Sequence, residues 1–178
     1  MQANLRKVIR NVPDFPKQGI QFKDITTLTK DGQEFAKVIN LFDQKYRDKR
    51  IEVVVGVEAR GFIFGGALAY KWGIGFVPVR KPGKLPAEKI REEYQLEYGI
   101  DALEIHTDAI RAGQRVLIID DLLATGGTLA ATARLVERLG GVVAGIAAVI
   151  DLSFLHGRDK VKQYDLCTLV EFETESPE

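Results

Sequence analysis

The chain has 178 residues, 46% of them hydrophobic, a size that suits one domain with a proper core. Its 25 Lys and Arg balance 25 Asp and Glu, so no global field recruits nucleic acid or an anionic membrane. A single cysteine, Cys167, excludes an internal disulfide and reads as a buried structural thiol, and the longest apolar run, Val142 to Ile150, is too short to span a bilayer.

In chain order, Asp31-Gly32-Gln33-Glu34 has the pattern of a capping box, and Phe35, Val38, Ile39, Phe42 and Tyr46 then mark one face of a helix. Ile51 to Val57 reads as a buried strand, Gly61 to Trp72 as a packed helix and Gly75 to Val79 as a short strand. Lys81 to Glu93 is rich in Lys, Pro and Glu; it is expected to be one long irregular insertion, either a lid or a solvated surface loop. Residues 116–119 form the next strand, Leu129 to Leu139 a helix, and Val142 to Ile150 and Leu166 to Phe172 the last two strands. Alternating strands and helices argue for a parallel α/β sheet in a single domain, without internal repeats or linkers. Ligands of such sheets bind outside the carboxyl ends of the strands. Glu58-Ala59-Arg60, Arg80-Lys81 and Asp120-Asp121 each follow a predicted strand and converge there.

The most informative run is Val116 to Thr128, in which four apolar residues precede Asp120 and Asp121 at the expected strand end. Ala124, Thr125, Gly126, Gly127 and Thr128 then combine small side chains, hydroxyls and a Gly-Gly pair ahead of a helix. Glycines let backbone N–H groups turn toward a ligand, and a helix N-terminus attracts an anion. Two acids beside such a turn suit a phosphorylated, polyhydroxylated sugar. A Walker motif is excluded because no lysine follows Gly127, and the three spaced glycines of a dinucleotide fingerprint are missing. His106 and His156 have no ligand-like partners nearby in sequence, so both read as structural or surface residues without a zinc site.

The 116–128 run resembles the phosphoribosyl-pyrophosphate motif of the type I phosphoribosyltransferases. Further segments resemble the adenine-specific branch of that family: Val12 to Pro16, Gly19 to Ile25, Glu58 to Phe62, Arg80 to Pro86 and Tyr94 to Gly99. The resemblance implies the type I fold, with a small N-terminal hood over about residues 1–30 and a flexible catalytic loop at 81–93. It implies transfer of a 5-phosphoribosyl group from phosphoribosyl pyrophosphate to adenine, giving AMP and pyrophosphate through an oxocarbenium-like transition state. It assigns the ribose hydroxyls to Asp120 and Asp121, and the 5′-phosphate to the turn from Ala124 to Thr128.

By the same resemblance, pyrophosphate falls to Glu58, Ala59, Arg60, Lys81 and Lys84, with an unusual cis peptide near Ala59. Mg²⁺ is implied as the cofactor, reached through pyrophosphate, ribose and water rather than by direct protein ligands. Adenine is assigned to Gln21, Phe22 and Lys23, with Phe22 stacking on the purine or else serving as plain core. Relatives often carry Arg at the position of Lys23, and a Lys cannot reproduce planar, bidentate contacts. Proton transfer is assigned to Glu97; read from its surroundings alone, this residue is a solvent-facing strand position. Tyr98 is expected near the ribose or an adjoining protomer. A homodimer is implied, and cytoplasm is the expected compartment because no signal-peptide apolar segment opens the chain. Transferases for other bases would share the 116–128 run, and a regulator binding nucleic acid would need a basic face or an added domain that this sequence lacks.

Overall fold

The computed structural model describes residues 2–96 and 99–175. The chain runs α1 (Gln2–Val8), β1 (Arg10–Pro13), β2 (Gln21–Asp24), α2 (Thr26–Thr29), α3 (Gly32–Tyr46), β3 (Val53–Val57), α4 (Gly61–Trp72) and β4 (Gly75–Val79). It continues as β5 (Lys89–Leu96), β6 (Gly99–His106), β7 (Arg115–Leu123), α5 (Gly127–Arg138), β8 (Val142–Leu152) and β9 (Leu166–Phe172). The body is a five-stranded parallel sheet in the order β4-β3-β7-β8-β9. All five residues of β3 are buried, as a strand covered on both faces requires.

Alternate residues of β7 divide the core into two layers. Leu117 and Ile119 pack with Phe42 of α3 and with Phe64 and Leu68 of α4. Val116 and Ile118 pack on the other side with Leu135 and Val136 of α5 and Ile146 of β8. Leu5, Ile25 and Leu28 from the first thirty residues join the α3–α4 layer. In that N-terminal stretch β1 and β2 form an antiparallel hairpin, with Arg10 opposite Asp24 and Pro13 opposite Gln21.

Helix α3 starts where its cap predicts, since Asp31 accepts from the N–H groups of Gln33 at 2.9 Å and Glu34 at 3.2 Å. Glu34 does not complete the capping box; its carboxylate holds Lys37 at 2.8 Å. The predicted stripe is correct, with Val38, Ile39, Phe42 and Tyr46 buried and Phe35 packed against them. Helix α4 and strands β4 and β9 also fall at their expected bounds.

Apart from end shifts of one or two residues in β3, α5 and β8, two elements differ from expectation. Strand β7 does not stop before the acids but runs through Asp120 and Asp121 to Leu123, because β8 is long enough to keep pairing, with Leu122 opposite Ile150. The insertion at Lys81 to Glu93 is irregular only in its first half. From Lys89 it becomes β5, which pairs antiparallel with β6, Lys89 opposite His106 and Tyr94 opposite Asp101. Its inward positions alternate as Ile90, Glu92 and Tyr94. The central one is a carboxylate that accepts from Arg134 at 2.6 Å and Arg138 at 3.0 Å of α5, so the apolar alternation that marks a strand is broken by an ion pair.

Tyr46 locks α3 to the sheet. It is fully buried, and its hydroxyl lies 2.8 Å from the Ile146 carbonyl and 3.1 Å from that of Asp165. Burial pushes its pKa far up, so it acts only as a neutral donor. Tyr46→Phe is expected to lower stability by about 1–2 kcal/mol, the cost of an unpaired buried carbonyl. Urea unfolding reads this; an unchanged midpoint would remove the hydroxyl from the account of stability.

Candidate active site

The strand order reverses between β3 and β7, since the chain leaves β3 for β4 on one side and returns to β7 on the other. A crevice must open at the carboxyl ends of these two strands. A cavity of about 380 Å³ lies there, lined by Glu58 to Arg60 after β3, by Asp120 to Gly126 from β7 and its turn, and by Lys81, Tyr94 and Thr128. All three clusters predicted to converge therefore do so.

The turn owes its shape to two glycines. Gly126, the N-cap of α5, has φ +75°, a left-handed conformation that side chains rarely adopt. A Cβ there would also collide with the carbonyl of Gly157, and one on Gly157 would collide with that of Ala124. Gly157 thus buttresses the turn from the 3-10 segment Gly157–Val161, a role with no signal in its own sequence neighbourhood. With this support the turn leads from the cavity into the N-terminus of α5, and a helix N-terminus attracts an anion.

The acids are not equivalent. Asp121 accepts from the Nε of Arg60, whose guanidinium carbon also stands 5.2 Å over the Phe22 ring. Asp120 accepts the Asp121 N–H at 2.8 Å. Burial, and then the neighbouring charge of Asp121, raise the Asp120 carboxyl well above the ordinary range. Glu58, after β3, accepts from Arg80 Nε at 2.8 Å, from the Lys81 N–H at 3.1 Å and from the Lys84 ammonium. Burial pushes its pKa up, but these donors outweigh it and hold the carboxylate below its usual range. The Glu58–Ala59 peptide is cis, as the resemblance implied.

A family profile described as the phosphoribosyl transferase domain matches residues 24–174. The chain belongs to this phosphoribosyl transferase family. It is 58% identical over 170 residues to the adenine phosphoribosyltransferase of Clostridium perfringens, covering 96% of this chain and 99% of the relative. Its fold is similar to the crystal structure of the Thermoanaerobacter pseudethanolicus adenine phosphoribosyltransferase, with TM-score 0.93, 52% identity and coverage of 97% and 100% of the two chains. The Saccharomyces cerevisiae enzyme, solved in complex with an imino-altritol bisphosphate and adenine, matches with TM-score 0.88 and 41% identity over 94% and 97% of the chains.

At this cavity Arg60, Lys81, Asp120, Asp121, Ala124, Thr125, Gly126 and Thr128 stand together, while Gly127 faces Tyr94 and Gln95 on the other side of the turn. Lys84 sits beside them on Glu58, and the Glu58 carboxylate is committed to cations rather than turned to an anion. Gln21 and Lys23 separate from Phe22, because successive strand residues face opposite ways. Gln21 accepts from Asn11 at 2.7 Å, while Lys23 donates to Asn11 at 3.0 Å and lies 4.3 Å over the Phe172 ring. Their side chains thus lie on the strand face opposite Phe22. Phe22 is half-buried, edge-to-face with Phe15 at 5.1 Å. Glu97 and Tyr98 lie outside the described residues. Tyr94 of the ribbon was not foreseen as a site residue, because Glu92 breaks the alternation that would have marked β5. Cys167 is only partly buried, and burial raises its thiol pKa. His106 accepts the Ala87 N–H at 3.3 Å, a structural contact.

The raised Asp120 pKa carries a prediction. A carboxyl whose folded pKa exceeds its unfolded value adds stability below the ordinary value of 3.8, and this is lost as pH rises through the raised value. Asp120→Asn removes that loss. The variant is expected to be more stable than the parent near neutral pH by about 1 kcal/mol, and less active. The gap should close on acidification toward about pH 4. Thermal unfolding across a pH series tests this, and a less stable variant at neutral pH would refute it.

Proposed function

We infer that the chain transfers the 5-phosphoribosyl group from phosphoribosyl pyrophosphate to adenine, releasing AMP and pyrophosphate. The observation that carries this reading is a cavity in which paired acids, a phosphate-type turn and the cationic side chains of Arg60 and Lys81 meet. The turn from Ala124 to Thr128 takes the 5′-phosphate, and Asp120 and Asp121 take the ribose 2′ and 3′ hydroxyls. Arg60 and Lys81, with Lys84 and the backbone at Ala59 beside them, face the pyrophosphate. Glu58 serves that group by holding Arg80 and Lys84 in place. Adenine stacks on Phe22, with backbone groups of Gln21 and Lys23 at its edge. The relatives named for adenine support this choice of base.

The leaving pyrophosphate concentrates negative charge while the anomeric carbon becomes cationic. A guanidinium fork and a mobile ammonium neutralise the first without offering a nucleophile to the second. Water must be excluded from that carbon, and residues 81–93, with the ribbon that follows, stand beside the cavity as the lid for it. Glu97 receives the proton that adenine loses. Mg²⁺ completes the reading as a counter-charge for pyrophosphate. In this reading the ion is held mainly by substrate oxygens and water, since Mg²⁺ keeps several waters and needs few protein ligands. Among the described residues no helix is long and apolar enough to cross a membrane, and the cytoplasm fits this chemistry. A homodimer belongs to the same reading; Ile63 and Tyr70 stand exposed two turns apart on α4 and offer it an apolar face.

Pyrophosphate release with Mg²⁺, phosphoribosyl pyrophosphate and each of adenine, hypoxanthine, guanine, xanthine and orotate tests the assignment. Turnover is expected with adenine, and turnover only with another base would reverse it. Glu97→Gln is expected to cut turnover at least about 100-fold while phosphoribosyl pyrophosphate still binds. Parental turnover in this variant would take Glu97 out of the mechanism.

A further inference from the structure

Asp101, on β6 directly across the ribbon from Tyr94, has no part in the site as described so far. Its Oδ2 accepts from the Lys81 ammonium and stands 3.2 Å from the Tyr94 hydroxyl. Its Oδ1 accepts the Ala102 N–H at 2.8 Å, which fixes the direction of the carboxylate. Lys81 also donates to the Tyr94 hydroxyl at 3.2 Å, and the same hydroxyl accepts from Thr128 Oγ1 at 3.3 Å. The cation meant for pyrophosphate is thus bound to a carboxylate of its own chain, and that pair touches the phosphate turn through one tyrosine.

We propose that Asp101 is a positioning residue, which holds Lys81 beside the cavity in the ligand-free protein and competes with pyrophosphate for it. The pair is charged throughout the neutral range. Burial works against the charge on both partners, but hydrogen bonding between them raises the Lys81 pKa and lowers that of Asp101. The side chains are 38% and 27% exposed, so water screens the pair and it parts readily. A pyrophosphate oxygen carries a denser charge than a carboxylate and takes the ammonium over. Thr128 ties the exchange to sugar-phosphate seating: once its hydroxyl turns to the 5′-phosphate, Tyr94 loses a donor and the Lys81–Asp101 pair loses its brace. Lys81 is therefore kept close to its working position without being spent on solvent.

This inference rests on the assignment of Lys81 to pyrophosphate, and the two are separable by calorimetric titration of the full chain with pyrophosphate and Mg²⁺. Lys81→Met is expected to weaken binding at least about tenfold. Asp101→Asn should tighten it about fivefold, equivalent to about 1 kcal/mol, and Asp101→Ser should shift it the same way. In the Lys81→Met background the Asp101 substitutions should change affinity less than about twofold. Unaltered binding by Lys81→Met would reject the assignment of that lysine. Weaker or equal binding by both Asp101 variants, with Lys81→Met impaired, would reject the competition alone. A gain that persists without Lys81 would reduce Asp101 to a general charge effect and overturn the proposal. Structural damage weakens binding, so tightening that disappears without Lys81 is a result that only release of the lysine accounts for.

Discussion

Two carboxylates side by side on a central strand must be carried by the folded chain before any ligand arrives, and this demand shapes the surroundings of the site. Asp120 and Asp121 are 8% and 4% exposed, and unpaired charge at such depth is costly. The fold answers in two ways. Asp121 meets the guanidinium of Arg60, delivered by the neighbouring strand at the point where strand order reverses. Asp120 receives a backbone N–H and retains its proton more tightly than an ordinary aspartate. The same logic repeats at Glu58, whose charge is met by Arg80 and Lys84, and at Asp101, which meets Lys81.

The site is consequently a set of internal ion pairs, whose cations are those proposed above for pyrophosphate. Charges that would repel one another are kept apart by their own counter-charges until a substrate supplies others. Such pairs are partly exposed on the cation side, so exchanging partners does not require rebuilding a dry core. The ribbon of β5 and β6 belongs to this arrangement. Glu92 clamps its stem to α5 through Arg134 and Arg138, while Tyr94 and Asp101 reach the phosphate turn and Lys81. Helix α5 therefore bears both the Gly126 turn at its N-terminus and the anchor of the β5–β6 ribbon.

Much of the fold was legible because its core is periodic. The buried run of β3, the stripe of α3 with its Asp31 cap, and the bounds of α4 follow from patterns that solvent exclusion imposes locally. The ribbon was not legible, since the partner of Glu92 lies more than forty residues away on α5 and turns an apolar position into a charged one. Gly157 was silent for a similar reason. Its importance is a close approach to Ala124, which no local pattern encodes. The carboxyl end of β7 was placed too early because Asp120 and Asp121 look like strand terminators until β8 is known to extend past them.

The sequence by itself determined the chemistry on offer: a phosphate turn, two acids, a basic segment and an order of elements that winds into a parallel sheet. Those properties are set by residue type and near-neighbour spacing. Only the tertiary structure decided how the charges are partnered. It placed Asp121 against Arg60, Glu58 against Lys84 and Lys81 against Asp101, and it turned Gln21 and Lys23 away from the side of Phe22. Ion pairing depends on distance and burial across separate elements, and these exist only once the chain has closed on itself.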